Sequence, residues 1–257
     1  GASTDYLGLE MLDGEYKVMG MAPYGDADRY DLSRLIRPRG RGFEVDTRYV
    51  NTVGLRRYKE NGVGFYFSDK LIDWLGPRRM GDVADEPYIH YAAAMQRMFE
   101  DWCLKLLETY LGDVLAETGK LAFAGGGALN VKLNQRIVAR DDVDELFVQP
   151  ASGDSGTALG AATWVAAREG DRLSRMNHVY LGPAYDDDAC LEALESCREP
   201  VHWRRLEDVP AETAALLAEG HPVAWFQGRM EFGPRALGGR SILGCPSAPG
   251  IADRINE

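Results

Sequence analysis

Leu121 to Arg168 reads LAFAGGGALNVKLNQRIVARDDVDELFVQPASGDSGTALGAATWVAAR. Leu121 to Ala124 is a short apolar run that predicts a buried strand, and Gly125 to Gly127 predicts a turn after it. Ala128 to Arg140 reads as a helix, Leu146 to Gln149 as a second strand, and Pro150 to Asp154 as a second turn. Thr157 to Arg168 follows as an Ala-rich helix, with Gly160 inside it as a place for close packing. Parallel strands need a crossover helix between them, so this alternation implies α/β architecture with neighbouring parallel strands. Ligands of such sheets sit beyond the carboxyl ends of the strands. Gly125 to Gly127 and Asp154 fall at those two ends.

Upstream, Tyr91, Met95, Met98, Trp102, Leu106 and Tyr110 recur at spacings of three and four, which predicts a helix over Tyr88 to Tyr110. Gly112 and Gly119 bracket the end of that helical region and a turn. Residues 5 to about 70 predict short strands and loops, with Gly42 to Val50 extended. Downstream, the polar stretch Gly170 to Asn177 predicts a domain boundary. A second α/β unit follows from His178: a helix over Asp187 to Ser196, a strand near Val201 to Arg204, a helix over Pro210 to Ala218, and a strand from Val223.

That last strand opens a second informative stretch, Val223 to Leu243, VAWFQGRMEFGPRALGGRSIL. The apolar run Val223 to Phe226 is followed by Gly228, then by Arg229, Arg235 and Arg240 with a single acid, Glu231. Guanidinium groups match phosphate oxygens bidentately, and glycines let a backbone approach a ligand closely. On an acidic chain this patch suggests a bound polyphosphate; a charged surface turn fits the composition equally well.

The 257 residues suggest one or two domains, at roughly 150 residues per domain. A hydrophobic content of 45% with 27% charged residues is that of an ordinary globular protein with a real core. The net charge of −11 disfavours nucleic-acid and anionic-membrane partners, which need a basic face. One basic cluster, Arg34, Arg37, Arg39 and Arg41, reads as a solvated loop. Cys103, Cys190, Cys197 and Cys245 form no C-x-x-C pair and are too sparse for a disulfide framework; Cys103 reads as a small buried residue. No apolar run reaches the ~18 residues of a membrane span and no secretory leader is visible, so the expected location is the cytoplasm.

Asn130 and Asn134, four apart, share one helix face and can hydrogen-bond a ribose or base, while the helix N-terminus after Gly125 to Gly127 supplies N–H groups for a phosphate. A tight turn explains the glycine triplet as well. Asp154 suits an N-cap or Asx turn, which its spacing favours over a metal ligand. Lys17 reads as an exposed lysine on a strand, with no role, and His90 as a surface or capping residue.

Four blocks in one order carry a resemblance: EYKVMGMAPYG (Glu15 to Gly25), LAFAGGGALNVKLNQRI (Leu121 to Ile137), QPASGDSGTALGAA (Gln149 to Ala162) and GRMEFGPRALGGRSIL (Gly228 to Leu243). Together they resemble the NodU/CmcH/TobZ-type O-carbamoyltransferases. The resemblance implies the second half of an ASKHA (actin-like ATPase) domain over residues 1–172, then the start of a YrdC-like α/β domain over residues 178–257. It implies a nucleotide site at Gly126, Gly127, Asn130 and Asn134, and a carbamoyl phosphate and ATP phosphate site at Arg229, Gly233, Arg235, Gly238 and Arg240. It also implies a divalent metal, iron in the family, held by Asp154. The family pairs that aspartate with two histidines spaced four apart, whereas His90, His178, His202 and His221 show no such spacing. The expectation is therefore a piece of a larger enzyme, with Gly1-Ala2-Ser3 as a cloning remnant. Where the family usually has Asn, this chain has Gly239.

The activity so implied is ATP-dependent transfer of the carbamoyl group of carbamoyl phosphate, through carbamoyl adenylate, to a hydroxyl of a small natural product or sugar. A non-catalytic nucleotide- or partner-binding module is the alternative. A sugar kinase of the ASKHA type explains Gly125 to Gly127 but leaves Gly228 to Leu243 without a purpose. Neither the acceptor nor the oligomeric state is legible.

Overall fold

The computed structural model describes residues 1–51, 58–60, 63–81 and 85–256. These fall into two compact units, Gly1–Val148 and Gln149–Glu257.

The first unit opens with helices α1 (Ala2–Tyr6) and α2 (Glu15–Met21). Two single 3-10 turns follow, at Ala22–Tyr24 and Ala27–Arg29. Strands β1 (Ile36–Arg39) and β2 (Gly42–Val45) form an antiparallel hairpin, with Ile36 opposite Val45 and Arg39 opposite Gly42. The hairpin turn contains Gly40 at φ +56°, a conformation that favours glycine. A second antiparallel pair joins β3 (Tyr58–Glu60) to β4 (Val63–Phe65), and α3 (Asp69–Leu75) follows. The long helix α4 (Tyr88–Thr118) ends on Gly119 in the left-handed region, φ +63°. Then come β5 (Lys120–Phe123), α5 (Val131–Val138) and β6 (Glu145–Val148). β5 and β6 pair in parallel, Leu121 opposite Leu146, as the strand–helix–strand pattern predicts.

Two apolar cores hold this unit. Tyr6, Leu7, Met21, Phe67, Leu71 and Tyr91 form the larger one, where the first half of α4 meets the N-terminal elements. Tyr6 packs edge-on against Phe67 and Tyr91 at 5.7 and 5.0 Å between ring centroids. The smaller core joins Leu115 of α4 to Leu133 and Ile137 of α5 and to Val143. Arg136 and Arg140 then tie α5 and its end to α4 through Glu100, Asp101 and Glu108.

The second unit contains α6 (Thr157–Arg168), α7 (Asp187–Glu195) and α8 (Val209–Ala218). Asp186 and Asp208 cap α7 and α8 by accepting the amides of Ala189 and Ala211. β7 (Val223–Phe226) and β8 (Arg240–Leu243) make an antiparallel hairpin, Phe226 opposite Arg240, and α9 (Ile251–Asn256) follows. No helix of the described residues is long and apolar enough to cross a membrane.

Several expectations change. The strands and loops expected over residues 5 to about 70 are present as β1 to β4, but α2 lies within that stretch and α1 and α3 overlap its ends; positions 52–57 and 61–62 of it are outside the described residues. Lys17 is exposed on α2, whose apolar Val18 and Met21 turn inward at a three-residue spacing, so it is not on a strand. Arg37 and Arg39 lie on a hairpin and pair with Glu44, rather than in a loop. The helix expected from Ala128 starts at Val131, because Asn130 caps it. β5 and β6 alternate exposed and half-buried residues rather than being buried, since they form a two-stranded sheet. Val201 to Arg204 is irregular, not a strand. Among the described residues nothing outside the helix's own backbone lies within 4 Å of a Cβ built at Gly160, so no close packing there requires glycine. Cys103 is half-buried, at the edge of the smaller core, and burial pushes its thiol up.

Candidate functional site

Three loops carry the candidate residues. The first follows β5. Gly125, at φ +97°, turns the chain, and Gly126–Leu129 forms a single 3-10 turn. A Cβ at Gly126 meets nothing within 4 Å, and one at Gly127 makes only an ordinary contact with Phe99, at 3.6 Å. No crowding within the described residues requires glycine at either position.

Asn130 is more deeply committed to the fold than a ligand contact requires. Its Oδ1 accepts the amide of Leu133, which makes it the N-cap of α5. Its amide also pairs reciprocally with buried Gln96 on α4, two hydrogen bonds of 2.9 Å each. Gln96 then donates to Glu100 at 2.7 Å. Asn134, one turn on, donates from Nδ2 to the Ala128 carbonyl at 2.8 Å, and its Oδ1 is buried without a hydrogen-bond partner among the described residues. The expected shared helix face is not formed, because Asn130 is the extended N-cap and only Asn134 lies within α5; much of the hydrogen-bonding capacity of both is turned inward.

The second loop, Gln149 to Gly156, opens the second unit. Asp154 begins a 3-10 turn and is exposed. Its carboxylate accepts no capping bond; α6 starts from Gly156, and Thr157 Oγ1 donates to the Asp154 carbonyl at 2.6 Å. The N-cap reading therefore fails. Among the described residues no three His, Cys, Asp or Glu side chains gather to hold a metal, so Asp154 stands as one carboxylate and not as a centre. Ser152 is buried and Gln149 half-buried in this loop, and the polar side-chain atoms of both are buried and unpartnered among the described residues. A Cβ at Gly156 would overlap the Ala151 carbonyl, so this glycine is required by the turn itself. His90, in the first unit, is buried rather than a surface residue: its Nδ1 accepts the Asp26 amide at 2.8 Å, and Nε2 lies 3.4 Å from Glu86.

The third loop joins β7 to β8. An irregular segment, residues 179–184, runs beside it, with Ala184 bridged antiparallel to Arg229. Met230 N donates to the Pro183 carbonyl at 3.0 Å, Gly182 N to the Met230 carbonyl at 2.9 Å, and Phe232 N to the Val179 carbonyl at 2.7 Å. Arg229 is exposed and lays its Nε and Nη2 on the carbonyls of Gly182 and Leu181, at 3.0 and 3.4 Å. Gly233 (φ +128°) and Gly238 (φ +100°) both take backbone conformations that favour glycine. A Cβ at Gly233 would also stand 3.0 Å from the Pro150 backbone, so this loop packs directly on the Gln149 to Gly156 loop within the second unit.

The organising group is Glu231, the single acid of the stretch. Its side chain is wholly buried, at 0% exposure. Oε1 accepts the amides of Leu237 at 2.8 Å and Gly239 at 2.6 Å, and Oε2 accepts Arg240 Nε at 2.7 Å. The Glu231 carbonyl accepts Arg240 Nη2 at 3.1 Å. Arg240, first and foremost, holds the carboxyl down at about 2, helped by the Leu237 and Gly239 amides and opposed by burial. Ser241 Oγ accepts the amide of Gly238. The amides of 237–239 are thus engaged within the loop, and its donors toward a ligand are guanidinium N–H groups. Arg240 is one-third exposed; Arg235 is half-buried and already has an interaction of its own. Composition flagged the arginines but not the roles of Glu231 and Gln96. A lone acid among three arginines, and a glutamine on an apolar helix face, were the available signals.

Two family models match the chain in their own order. The carbamoyltransferase N-terminus covers residues 1–163 and the carbamoyltransferase C-terminus covers residues 214–257. An uncharacterized protein of Synechocystis is 36% identical over 95% of this chain and 40% of its own length. Nodulation protein NolNO of Sinorhizobium fredii is 34% identical over 98% of this chain and 35% of its own. Nodulation protein U of Bradyrhizobium diazoefficiens is 38% identical over 53% of this chain and 22% of its own. The chain spans about two fifths of the length of the Synechocystis relative. With the N-terminal and C-terminal models of one family found in sequence along a single polypeptide, the chain belongs to the carbamoyltransferase family.

Proposed function

We propose that the polypeptide containing this chain transfers the carbamoyl group of carbamoyl phosphate to a hydroxyl of a small molecule, using ATP and passing through carbamoyl adenylate. Family membership over both matched regions is the observation that carries the reading. The arginine loop gives it a chemical locus. Arg229 and Arg240 are anchored by carbonyls and a carboxylate and keep further N–H groups, so their orientation is set before a ligand arrives. Preorganised cations of this kind favour a polyphosphate and the charge that develops on pyrophosphate as it departs. The open backbone at Gly126 and Gly127 supports a second contact, with nucleotide phosphate, since crowding does not explain those glycines. Asp154 alone does not make a metal centre, and no step is assigned to a metal.

The residues divide into two groups under this reading. The arginine loop serves formation of carbamoyl adenylate: water cleaves carbamoyl phosphate to carbamate and inorganic phosphate, and the carbamate oxygen then attacks the α-phosphorus of ATP as pyrophosphate leaves. Asp154 serves the second step, in which the acceptor hydroxyl oxygen attacks the carbamoyl carbon, AMP leaves and the hydroxyl proton passes to solvent. The test is pyrophosphate release by the full-length polypeptide given ATP, with and without carbamoyl phosphate. Release that depends on carbamoyl phosphate supports the reading, and its absence overturns it. Arg235→Ala is expected to abolish that release. Asp154→Ala is expected to leave it nearly intact while blocking carbamoylation of an added alcohol.

A further inference from the structure

We infer that Glu231 is the positioning residue of the arginine loop: its buried carboxylate shapes the turn and aims the Arg240 guanidinium at the bound phosphates. The inference rests on the reading of this loop as a polyphosphate site. A carboxylate is, on charge alone, the wrong group to place in an anion site. Three features show that it serves the loop and not the ligand. Its side chain is wholly buried, so it presents no charge to a ligand. One oxygen, Oε1, holds the amides of Leu237 and Gly239, on both sides of Gly238. The other, Oε2, takes Arg240 Nε, while the Glu231 carbonyl takes Nη2. Two fixed acceptors on one planar guanidinium set both its place and its plane. Its Nη1 edge stays out of these bonds, in a side chain that is one-third exposed.

The division of labour between the two oxygens makes the inference testable. In Glu231→Gln the amide oxygen can take the Oε1 place and keep both backbone bonds. The NH2 then faces Arg240 Nε, donor against donor, and releases the guanidinium. The expected result in the full-length polypeptide is a rise of about tenfold in KM for ATP and carbamoyl phosphate, with a small change in kcat. Arg240→Ala should match it, and the double variant should be no worse than Arg240→Ala alone. Unchanged KM in Glu231→Gln, or losses that multiply in the double variant, would overturn the inference. If Glu231→Gln yields no folded protein, Gly239→Ala decides, because its Cβ would stand 2.9 Å from Glu231 Oε1 and displace the carboxylate. The same rise in KM is expected there, and wild-type KM overturns the inference.

Hydrogen exchange provides a readout independent of activity. The Leu237 and Gly239 amides should stay protected in Glu231→Gln and lose protection in Glu231→Ala. Wild-type protection in Glu231→Ala would overturn the inference. A wild-type polypeptide that neither binds ATP nor releases pyrophosphate defeats the functional reading instead, and exchange at these two amides then decides whether Glu231 shapes the turn.

Discussion

Glu231 also sets a pH limit on its own loop. Its carboxyl is held at about 2 against an ordinary value of 4.5, chiefly by Arg240. A depressed folded pKa stabilises the protein above the ordinary value, and that contribution disappears as pH falls from about 4.5 through about 2. Melting temperatures of wild type and Glu231→Gln should therefore differ most near neutral pH and converge across that acid window; a constant gap down to pH ~2 would contradict the geometry. Gly25 illustrates a different kind of residue-level constraint. Read along the chain, Pro23-Tyr24-Gly25 is a turn signal, and the turn is present. The sequence cannot show that a Cβ at Gly25 would overlap the Ile89 carbonyl in the first turn of α4. Gly25→Ala should lower stability by about 1–3 kcal/mol in urea unfolding, since backbone has to move to admit the methyl group. Asp154 teaches the converse: a good N-cap position by spacing, yet its carboxylate caps nothing.

At the level of elements, legibility followed periodicity and local chemistry. α4, α6 and α8 were readable because apolar spacing or alanine content marks them, and the parallel β5–β6 pair followed from strand–helix–strand order. α1, α2 and α3 were not, because each is only five to seven residues long and is stabilised by the core it packs on rather than by its own propensity. The start of α5 was missed by three residues for a specific reason: Asn130 leaves the helix to cap it and to pair with Gln96. That pair couples α4 to α5, since Gln96 is buried at 8% exposure and has its amide satisfied by Asn130 and Glu100. Asn130→Ala removes a cap and strands a buried amide, so it should cost about 1–3 kcal/mol. Asn130→Ser should recover the cap but not the amide pair, and an intermediate loss in thermal unfolding is expected. Equal losses for Ala and Ser would mean that the cap contributes nothing. Leu133, fully buried where α5 meets α4, should cost about 2–5 kcal/mol when changed to Ala.

Across the whole molecule, apolar burial is unevenly distributed. Both apolar clusters of the described residues draw on side chains between Ala2 and Leu146. In Gln149–Glu257, Ala151 is the apolar residue that is buried among those described, and the other buried side chains there include Ser152, Thr213 and Glu231. Large apolar groups of that unit face outward: Trp164 is 67% exposed, Ile242 60% and Phe226 53%. Stability comes mainly from apolar area removed from water, so the two units cannot be equally stable in the isolated 257-residue chain. Hydrogen exchange should show amides of α4 and α5 protected at least about tenfold more than those of α8, β7 and β8, the factor that corresponds to about 1.4 kcal/mol of opening free energy. The Glu231 network is the local exception expected within the second unit, because the Gly239 amide it holds is buried. In rising urea the second unit should lose its protection first, with the Gly239 amide among its last to open. A single transition, in which helix α4 and the β7–β8 hairpin exchange together, would show instead that the first unit's cores stabilise both halves.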